Sequence, residues 1–248
     1  MTLPLVVLFL ASIWAGTQNA LAGGGSFITL PSLMLTGMDA RAANITSCVA
    51  LFPGQIATGW AGRAHAAGVA GLSLRALFAI SILGGALGAV ILLMTPSAAF
   101  AQLLPWLVLF ATGIFVWGGF FRKATKTSAH ISPRAAGLAQ LAISIYGGYF
   151  GGGIGFLMMA ALTLAGEKAR TASATKNVLA GVMNASAVLI FLFSPELHWP
   201  QAVATAAGAT LGGLFGVGIL HRLNERALRL AIAFIGLALT VGLFLTQG

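Results

Sequence analysis

The sequence predicts an all-α integral membrane protein, and three observations favour this fold class. First, 58% of the 248 residues are hydrophobic and only 7% are charged, and the mean hydropathy is +0.97. Second, soluble domains carry about 25% charged residues, so a surface this poor in charge requires lipid around it. Third, most apolar runs are about as long as a membrane span, and short connections separate them.

Two of the ten apolar segments are too short to cross a bilayer, since a spanning helix needs about 20 residues. The segments cover approximately 2–22, 25–37, 41–61, 73–95, 99–121, 135–151, 153–165, 170–194, 200–220 and 227–246. The short ones, 25–37 and 153–165, each lie at a run of three glycines, at 23–25 and 151–153. The length leaves no room for a soluble domain, so we predict one transmembrane domain over residues 1–248.

A shift of 129 positions aligns the two parts of the chain. It matches Phe27 with Phe156, Gly37 with Gly166, Arg41 with Arg170, Thr46 with Thr175 and Val49 with Val178. These ordered matches predict a duplication, with a first repeat over 1–121 and a second over 135–248. The first segment is also similar to a signal peptide, but no Lys or Arg precedes it and it has a counterpart in the repeat. We therefore expect it to be retained.

Basic residues concentrate in three connections, which the positive-inside rule makes cytoplasmic. They are Arg63 and Arg75 in the first, Arg122, Lys123, Lys126 and Arg134 in the second, and Arg222, Arg226 and Arg229 in the third. The turns near Pro96 and at 194–200, and both termini, carry no Lys or Arg and are predicted to be periplasmic. The basic connection at 62–73 corresponds in the repeat to the turn at 194–200, which has no Lys or Arg. The turn near 96, which also has none, corresponds to the basic connection at 221–229. The two four-segment halves are therefore predicted to form an inverted-topology repeat.

Inversion requires an odd number of membrane crossings in each half. Segments 41–61, 73–95 and 99–121 supply three, so residues 1–38 should enter and leave on the same side. A re-entrant hairpin that turns at the glycines satisfies this requirement. The alternative is one long helix that is kinked at the glycine run. Both interpretations place 23–25 and 151–153 inside the protein, because irregular backbone is not tolerated against lipid.

A helix that begins inside the membrane presents unpaired backbone N–H groups and the positive end of its dipole, a setting that favours an anion. Two such starts, near Ser26 and Gly155, are predicted to converge from inverted halves on one site. The predicted substrate-binding residues are Gly24, Gly25, Ser26, Asn44, Thr46, Ser47 and Gln55 in the first half, and Gly153, Gly155, Thr175, Lys176, Asn177 and Asn184 in the second.

Lys176 is the sharpest single prediction, because a charged side chain within a membrane helix is costly and usually marks a pathway or a substrate partner. The alternative is that Lys176 extends back to the cytoplasmic surface beside Lys168 and Arg170. Asp39 and Glu167 precede the starts of equivalent segments. We interpret them as helix caps or local salt bridges, with a gating role as the alternative.

Other classes of function lack the residues they need. The net charge of +9 does not form a stripe, which disfavours nucleic-acid binding. A single cysteine, Cys48, excludes an intrachain disulfide, and the four histidines fall in or near loops. The glycine runs lack the Gly-Lys-Ser/Thr of a phosphate-binding loop, and no nucleophile motif or carboxylate pair is present. We therefore expect neither catalysis nor a metal or other cofactor.

Several stretches resemble the TauE/SafE sulfite exporter family. In the first half these are Ala22-Gly-Gly-Gly-Ser-Phe-Ile-Thr-Leu-Pro31 and Asn44-Ile-Thr-Ser47. In the second half, Tyr146-Gly-Gly-Tyr-Phe-Gly-Gly-Gly-Ile-Gly-Phe156 and Arg170-Thr-Ala-Ser-Ala-Thr-Lys-Asn177 are similar to the family's second motif. The resemblance covers nearly the whole chain. Ser47 departs from it, because many members have a lysine or another polar residue there.

The resemblance implies a bacterial inner-membrane carrier for a small sulfur-containing anion, such as sulfite, thiosulfate, sulfoacetate or a related organosulfonate. The residues themselves favour the same class, an anion-selective secondary transporter that works by alternating access. A passive anion channel, a membrane-embedded enzyme and a non-transporting membrane subunit are the alternatives. A proton and a sodium ion are the two candidates for a coupling ion.

Overall fold

The computed structural model describes residues 2–21, 23–118, 131–220 and 225–245, which fold into ten α-helices joined by short connections. The helices are α1 (Thr2–Leu21), α2 (Ser26–Met34), α3 (Ala40–Gly62), α4 (Leu74–Met94), α5 (Ser97–Val116), α6 (Pro133–Tyr149), α7 (Ile154–Leu164), α8 (Ala169–Phe191), α9 (Trp199–Leu220) and α10 (Glu225–Leu245). The prediction of an all-helical chain is confirmed, and each predicted apolar segment corresponds to one helix.

The exteriors of these helices suit a lipid environment. In the described part of the chain, α4, α5 and α8 are long and apolar enough to cross a membrane, and α1, α7 and α10 contain shorter apolar stretches. Large apolar side chains such as Trp60, Met94 and Phe193 are two-thirds or more exposed. Exposed surface of this kind is stable only against hydrocarbon or a partner. The basic residues predicted at 122–126 and 222 lie outside the described residues.

Both glycine runs interrupt the helices, as predicted. Gly23 and Gly24 between α1 and α2, and Gly151 and Gly153 between α6 and α7, have φ between +73° and +85°, a conformation that residues with a Cβ rarely adopt. A Cβ added at Gly25 would lie 2.8 Å from the carbonyl oxygen of Ala15. Residues ten apart in one helix are separated by about 15 Å, so the chain folds back at this break. The kinked-helix alternative is wrong for this segment.

The first helix of each half packs along the fourth helix of the other half. Gly208 and Gly212 of α9 lie against the backbone of Phe9 and Ile13 in α1. In the same way, Gly84 and Gly88 of α4 lie against α6 near residues 141–149. A Cβ at any of these glycines would overlap the neighbouring backbone, so glycine permits this close approach.

Helices at equivalent positions of the two halves run antiparallel where they meet. Along α3 and α8, Gly62 lies near Ala174, Gly59 near Asn177 and Gln55 near Asn184. Along α5 and α10, the rings of Trp106 and Phe244 meet edge to face and Gly236 contacts Thr112. Gln55 and Asn184 are themselves 129 positions apart and are hydrogen-bonded to each other. The two halves therefore cross at this pair.

The ends of the helix bundle differ in charge. One end, here called the basic end, consists of residues 62–75, 133–134 and 167–170 and includes Arg63, Arg75, Arg134, Lys168 and Arg170. Its connections touch one another through Gly71 and Pro133 and through His65 and Arg170. The opposite end consists of residues 35–41, 94–97 and 192–199. There Arg41 forms an ion pair with Glu196 and also donates to the carbonyl of Thr95.

Candidate functional site

A small cavity lies between the two helix breaks, in the part of the bundle nearer the basic end. Its volume of about 30 Å³ holds one or two water molecules. The lining residues come from both halves: Asn19, Gly23, Gly24, Gln55, Thr58, Gly151, Ile154, Gly155, Lys176, Asn177 and Ala180. Five of them, Gly24, Gln55, Gly155, Lys176 and Asn177, are among the residues predicted from the sequence. A substrate larger than two waters requires this cavity to widen.

The two breaks touch each other across the centre of the molecule. A Cβ added at Gly23 would lie 3.3 Å from Cα of Gly155. Next to this contact the rings of Phe27 and Phe156 face each other with centroids 6.2 Å apart. Gly24 and Gly153 make corresponding contacts with these rings. A Cβ added at Gly24 would lie 2.9 Å from the Phe156 ring, and one added at Gly153 would lie 3.5 Å from the Phe27 ring. Gly24 and Gly153 thus each pack against the phenylalanine of the other half.

Among the residues whose side chains the structure describes, Lys176 is the only lysine or arginine that lines the cavity. Only 4% of its surface is exposed, and its ammonium group has no hydrogen-bond or ion-pair partner among the described residues. It lies seven residues after the start of α8, about 10 Å along the helix axis. A buried cation without a protein partner is costly. The burial disfavours the alternative in which Lys176 extends to the surface beside Lys168.

Two helices begin at the cavity wall. Helix α2 begins at Ser26 and α7 at Ile154, directly after the glycines of the two breaks. Neither start has a side chain that caps it from the residue at its N-cap. Their first N–H groups add partial positive charge to that of Lys176, so the electrostatic setting favours an anion.

The side-chain amides of Asn19 and Gln55 line the cavity together with Lys176. Hydrogen bonds hold these amides and the nearby backbone in place. Nδ2 of Asn184 donates to Oε1 of Gln55 at 2.6 Å. The backbone N–H of Gly25 donates to Oδ1 of Asn19 at 3.4 Å. Nε2 of Gln18 donates to the carbonyl of Gly24 at 3.2 Å. Asn184 therefore lies outside the cavity lining and is connected to it through Gln55.

The other predicted binding residues make structural contacts away from the cavity. Asn44 donates to the carbonyl of Tyr149, and Ser47 is hydrogen-bonded to Thr29 at 2.6 Å. Thr46 accepts from the N–H of His198 in the turn before α9. Thr175 accepts from the N–H of Ala67 at 3.0 Å and so anchors the connection before α4. Gly25, Ser26 and Gly153 belong to the breaks but do not line the cavity.

Sequence reasoning missed six lining residues, for different reasons. Gly23 and Gly151 belong to the glycine runs, so the runs themselves indicated them. Asn19 and Thr58 are polar residues in apolar segments and could have been found by that criterion. Ile154 and Ala180 carry no distinguishing signal, because apolar residues fill most of the chain.

The acidic residues whose side chains are described, Asp39, Glu167 and Glu196, do not line the cavity. Asp39 caps α3 by accepting from the N–H groups of Arg41 and Ala42, so the interpretation as a cap is confirmed. Partial burial would raise the pKa of Asp39, but hydrogen bonds from Ser97 and from those N–H groups outweigh it and lower the pKa. At the equivalent start of α8 the N-cap residue is Lys168, which makes no capping hydrogen bond. No group of three or more metal-ligating His, Cys, Asp or Glu side chains occurs in the described ranges.

Comparisons with known proteins agree with this architecture. The family model described as Sulfite exporter TauE/SafE matches residues 8–243. A probable membrane transporter protein of Haemophilus influenzae is 27% identical over 98% of this chain and 96% of its own length. The probable membrane transporter protein YfcA of Escherichia coli K12 is 25% identical over 96% and 89%. The probable membrane transporter protein ORF9 of a Sinorhizobium species is 26% identical over 96% and 92%. No solved structure matches the chain.

Proposed function

Because this chain belongs to the TauE/SafE sulfite exporter family and is a multi-pass membrane transporter rather than an enzyme, we propose that it carries a small sulfur-containing anion by alternating access. The candidate substrates are sulfite, thiosulfate, sulfoacetate and related organosulfonates. The observation that carries the proposal is Lys176, a buried cation without a partner in the described structure, in a cavity between two helix starts. A bound anion would neutralise this charge.

The inverted repeat is part of the proposal, and the directions of equivalent helices support it. Helices α3 and α8 have bounds that differ by 129 residues, and they run antiparallel through Gly59, Asn177, Gln55 and Asn184. Two copies that are related in this way can exchange conformations, so that a cavity opens first at one end and then at the other. The substrate site near their crossing would then be reached from each side of the membrane in turn.

The membrane orientation follows from the charge of the two ends. We assign the basic end to the cytoplasm of a bacterial inner membrane by the positive-inside rule. Helix α1 packs alongside α9, with Phe9 near Gly208 and Ile13 near Gly212, so both helices run in the same direction. Since α9 begins next to the end that contains Glu196, α1 begins there too. Helix α10 runs antiparallel to α5, with Phe244 near Trp106 and Gly236 near Thr112, so it ends at the end where α5 begins. We therefore assign both chain termini to the periplasm, as proposed from the sequence.

Substrate exchange in proteoliposomes tests the proposal directly. We expect unlabelled thiosulfate inside the vesicles to accelerate uptake of labelled thiosulfate, with saturation at high concentration. Lys176→Met keeps the length of the side chain and removes its charge, so we expect it to abolish the saturable component. Lys168→Met is the matched control at an exposed position and should retain transport.

The competing functions give different results in the same vesicles. A passive anion channel would give unitary currents and no acceleration by internal substrate. A non-transporting subunit would give no flux in the wild type. Counterflow that is unchanged in Lys176→Met would overturn the assignment of Lys176 as the partner of the anion. Imposed proton and sodium gradients in the same assay distinguish the two candidate coupling ions.

A further inference from the structure

The cavity contains one group that can gain or lose a proton. Among the described residues, Lys176 is the only titratable side chain of the lining, and the other lining residues are amides, a threonine, glycines and two apolar residues. Lys176 is buried and takes part in no hydrogen bond or ion pair within the described chain. No carboxylate of the described lining can therefore balance its charge or carry a proton in its place.

The free acceptors at and near the cavity are neutral. The amide of Asn177 lines the cavity and its side chain has no hydrogen bond within the described part of the chain. Oε1 of Gln18 is buried without a partner, while Nε2 of the same amide donates to the carbonyl of Gly24 in the lining. Neutral dipoles can solvate an ammonium group but leave its net charge uncompensated. The starts of α2 and α7 add partial positive charge and so increase this cost.

The other titratable side chains near α8 do not line the cavity. The elements that pack against α8 are α3, the connection after it, α4, α6 and α7. At the basic end they and α8 carry the five cations named above, together with His65 and Glu167. Farther from that end, the titratable side chains are Cys48, Tyr146 and Tyr149 and the ion pair of Arg41 with Glu196. A proton that binds in the cavity is therefore assigned to Lys176.

We propose that the coupling ion is a proton and that Lys176 carries it as the ammonium partner of the anion. This deepens the proposed function and rests on it. In the empty cavity Lys176 is the neutral amine, because an isolated buried charge is costly. When the anion binds, the amine takes one proton from water, and the ammonium group pairs with the anion. Each ligand thus favours the binding of the other, and both leave together when the cavity opens to the other side.

A sodium ion fits this cavity less well than a proton does. A proton needs one basic nitrogen, which Lys176 supplies, whereas sodium in transporters is held by several oxygens. The carbonyl of Gly24 already accepts from Gln18 and from the N–H of Phe27. The hydroxyl of Thr58 donates to the carbonyl of Gln55. With one proton for each anion, a thiosulfate dianion moves with a single net negative charge and a sulfonate monoanion moves with none.

Proton uptake on binding tests the proposal without requiring transport. Purified wild type in weakly buffered detergent at about pH 9 is mixed with thiosulfate, and an indicator dye reports the protons taken up. The same addition without protein is the blank. A lysine in water has a pKa of about 10.4, so at this pH it already holds its proton and would take up almost none. We expect about one proton for each thiosulfate bound. Binding without measurable proton uptake overturns the proposal.

The affinity for thiosulfate should depend on pH through the same proton. The wild-type dissociation constant, measured by thermal stabilisation, should rise at least about fivefold between about pH 8.5 and about pH 9.5, because only the ammonium form attracts the anion. Lys176→Arg retains a cation that keeps its proton over this range. Its dissociation constant should differ from that of the wild type in size but should not change with pH.

Lys168→Arg is the matched exchange at an exposed position and should keep the wild-type pH dependence. A wild-type dissociation constant that is independent of pH overturns the proposal, and so does an equal pH dependence in Lys176→Arg. Where the larger arginine side chain prevents binding, the proton count of the wild type decides.

Failure of this inference is distinguishable from failure of the proposed function. A wild type that exchanges thiosulfate but binds it without a proton, or accumulates it only with a sodium gradient, is a carrier without a proton on Lys176. A wild type that takes up a proton on binding but shows no counterflow has the linked site without carrier activity. We expect a proton gradient that is acidic on the side of entry to drive accumulation in proteoliposomes, and a sodium gradient to leave it unchanged.

Discussion

The two halves of the molecule place equivalent helices on either side of the Gln55–Asn184 contact, and the cavity lined by Lys176 lies on one of these sides. The 129-residue shift relates Lys176 to Ser47, Asn177 to Cys48, Thr58 to Ala187 and Asn19 to Gly148. On the mirrored side Ser47 is hydrogen-bonded to Thr29, and Sγ of Cys48 would lie 2.7 Å from a Cβ added at Gly151. Helices at equivalent positions thus have similar bounds and run antiparallel, whereas the side chains on the two sides of the crossing differ.

The two ends show the same asymmetry. At the opposite end, Arg41 pairs with Glu196 and so connects the start of α3 to the turn before α9. At the basic end the guanidinium of the equivalent residue, Arg170, is hydrogen-bonded to the exposed side chain of His65 and has no ion pair within the described part of the chain. An ion pair that bridges the halves resists their separation more than a contact between two basic residues does. The ion pair thus joins the two halves at the opposite end, whereas the cavity lined by Lys176 lies nearer the basic end.

The largest expected effect comes from making the two sides alike at their most different position. Lys176→Ser gives the second half the residue that the first half has at Ser47. We expect the saturable transport rate at low substrate to fall by about 100-fold, because a buried charge-assisted interaction is lost. Ser47→Ala is the mirrored control and should change it by less than about threefold. A comparable loss in both variants would mean that the sides contribute equally.

Substitution of the left-handed glycines tests whether both breaks are needed. Gly24→Ala and Gly153→Ala each add a Cβ at φ near +80° or +74°, and these atoms would overlap Phe156 at 2.9 Å and Ala111 at 2.5 Å, respectively. We expect each to destabilise the protein by about 1–3 kcal/mol and to reduce counterflow strongly. Gly113→Ala, which has open space at the added Cβ within α5, is the control and should leave both unchanged. Loss in only one of the two variants would show that the breaks are not equivalent.

The ion pair at the opposite end should control access to the mirrored side. Cys48 is the only cysteine of the chain and is 7% exposed, so its alkylation by a maleimide reports opening there. Glu196→Gln removes the ion pair with Arg41, and we expect about a fivefold faster modification of Cys48. Arg170→Gln, the equivalent change at the basic end, should leave the rate unchanged. A rate that does not respond to Glu196→Gln would remove the ion pair from the closing mechanism.

The smallest expected effect concerns the helix caps. Asp39 caps α3, whereas Lys168 at the equivalent position does not cap α8. Asp39→Ala should lower the free energy of unfolding by about 1 kcal/mol at neutral pH, and Lys168→Ala should not. Because the folded-state pKa of Asp39 is lowered, its contribution is present above the unfolded pKa and disappears as the pH falls through the folded pKa. Melting temperatures of wild type and Asp39→Ala should therefore converge as the pH falls through the lowered folded-state pKa of Asp39, and a constant difference would contradict this assignment.

The bounds of the helices and both breaks could be predicted from the sequence, because apolar length and glycine runs are local signals. The predicted site was only partly recovered for a geometric reason. Helices α3 and α8 run antiparallel and cross at Gln55 and Asn184. Ser47 and Lys176 each lie about 12 Å before the crossing along their own helix, so they lie on opposite sides of it. Residues that the repeat makes equivalent, such as Thr46 and Thr175, therefore lie on opposite sides of the crossing and instead anchor two different turns.

Side-chain partners were harder to predict than helices. Asp39 and Arg41 are close in sequence, which suggested a local salt bridge, but Arg41 reaches Glu196 in the other half. The same limit applied to Asn19, whose partner, the N–H of Gly25, comes within reach only because the chain reverses at the glycines. Such contacts depend on how far the chain folds back, and no residue type encodes that distance.

The exchange of first helices between halves has a consequence for how such a protein could arise. A gene that encoded one half alone would produce an α4-like helix whose glycine face, as at Gly84 and Gly88, has lost the helix that covers it. In this chain the leading helix of the other half covers that face, and under the proposed inversion it would come from a second copy inserted in the opposite orientation. A single-half ancestor would thus have needed to enter the membrane in both orientations, and fusion of two genes would have fixed one copy in each.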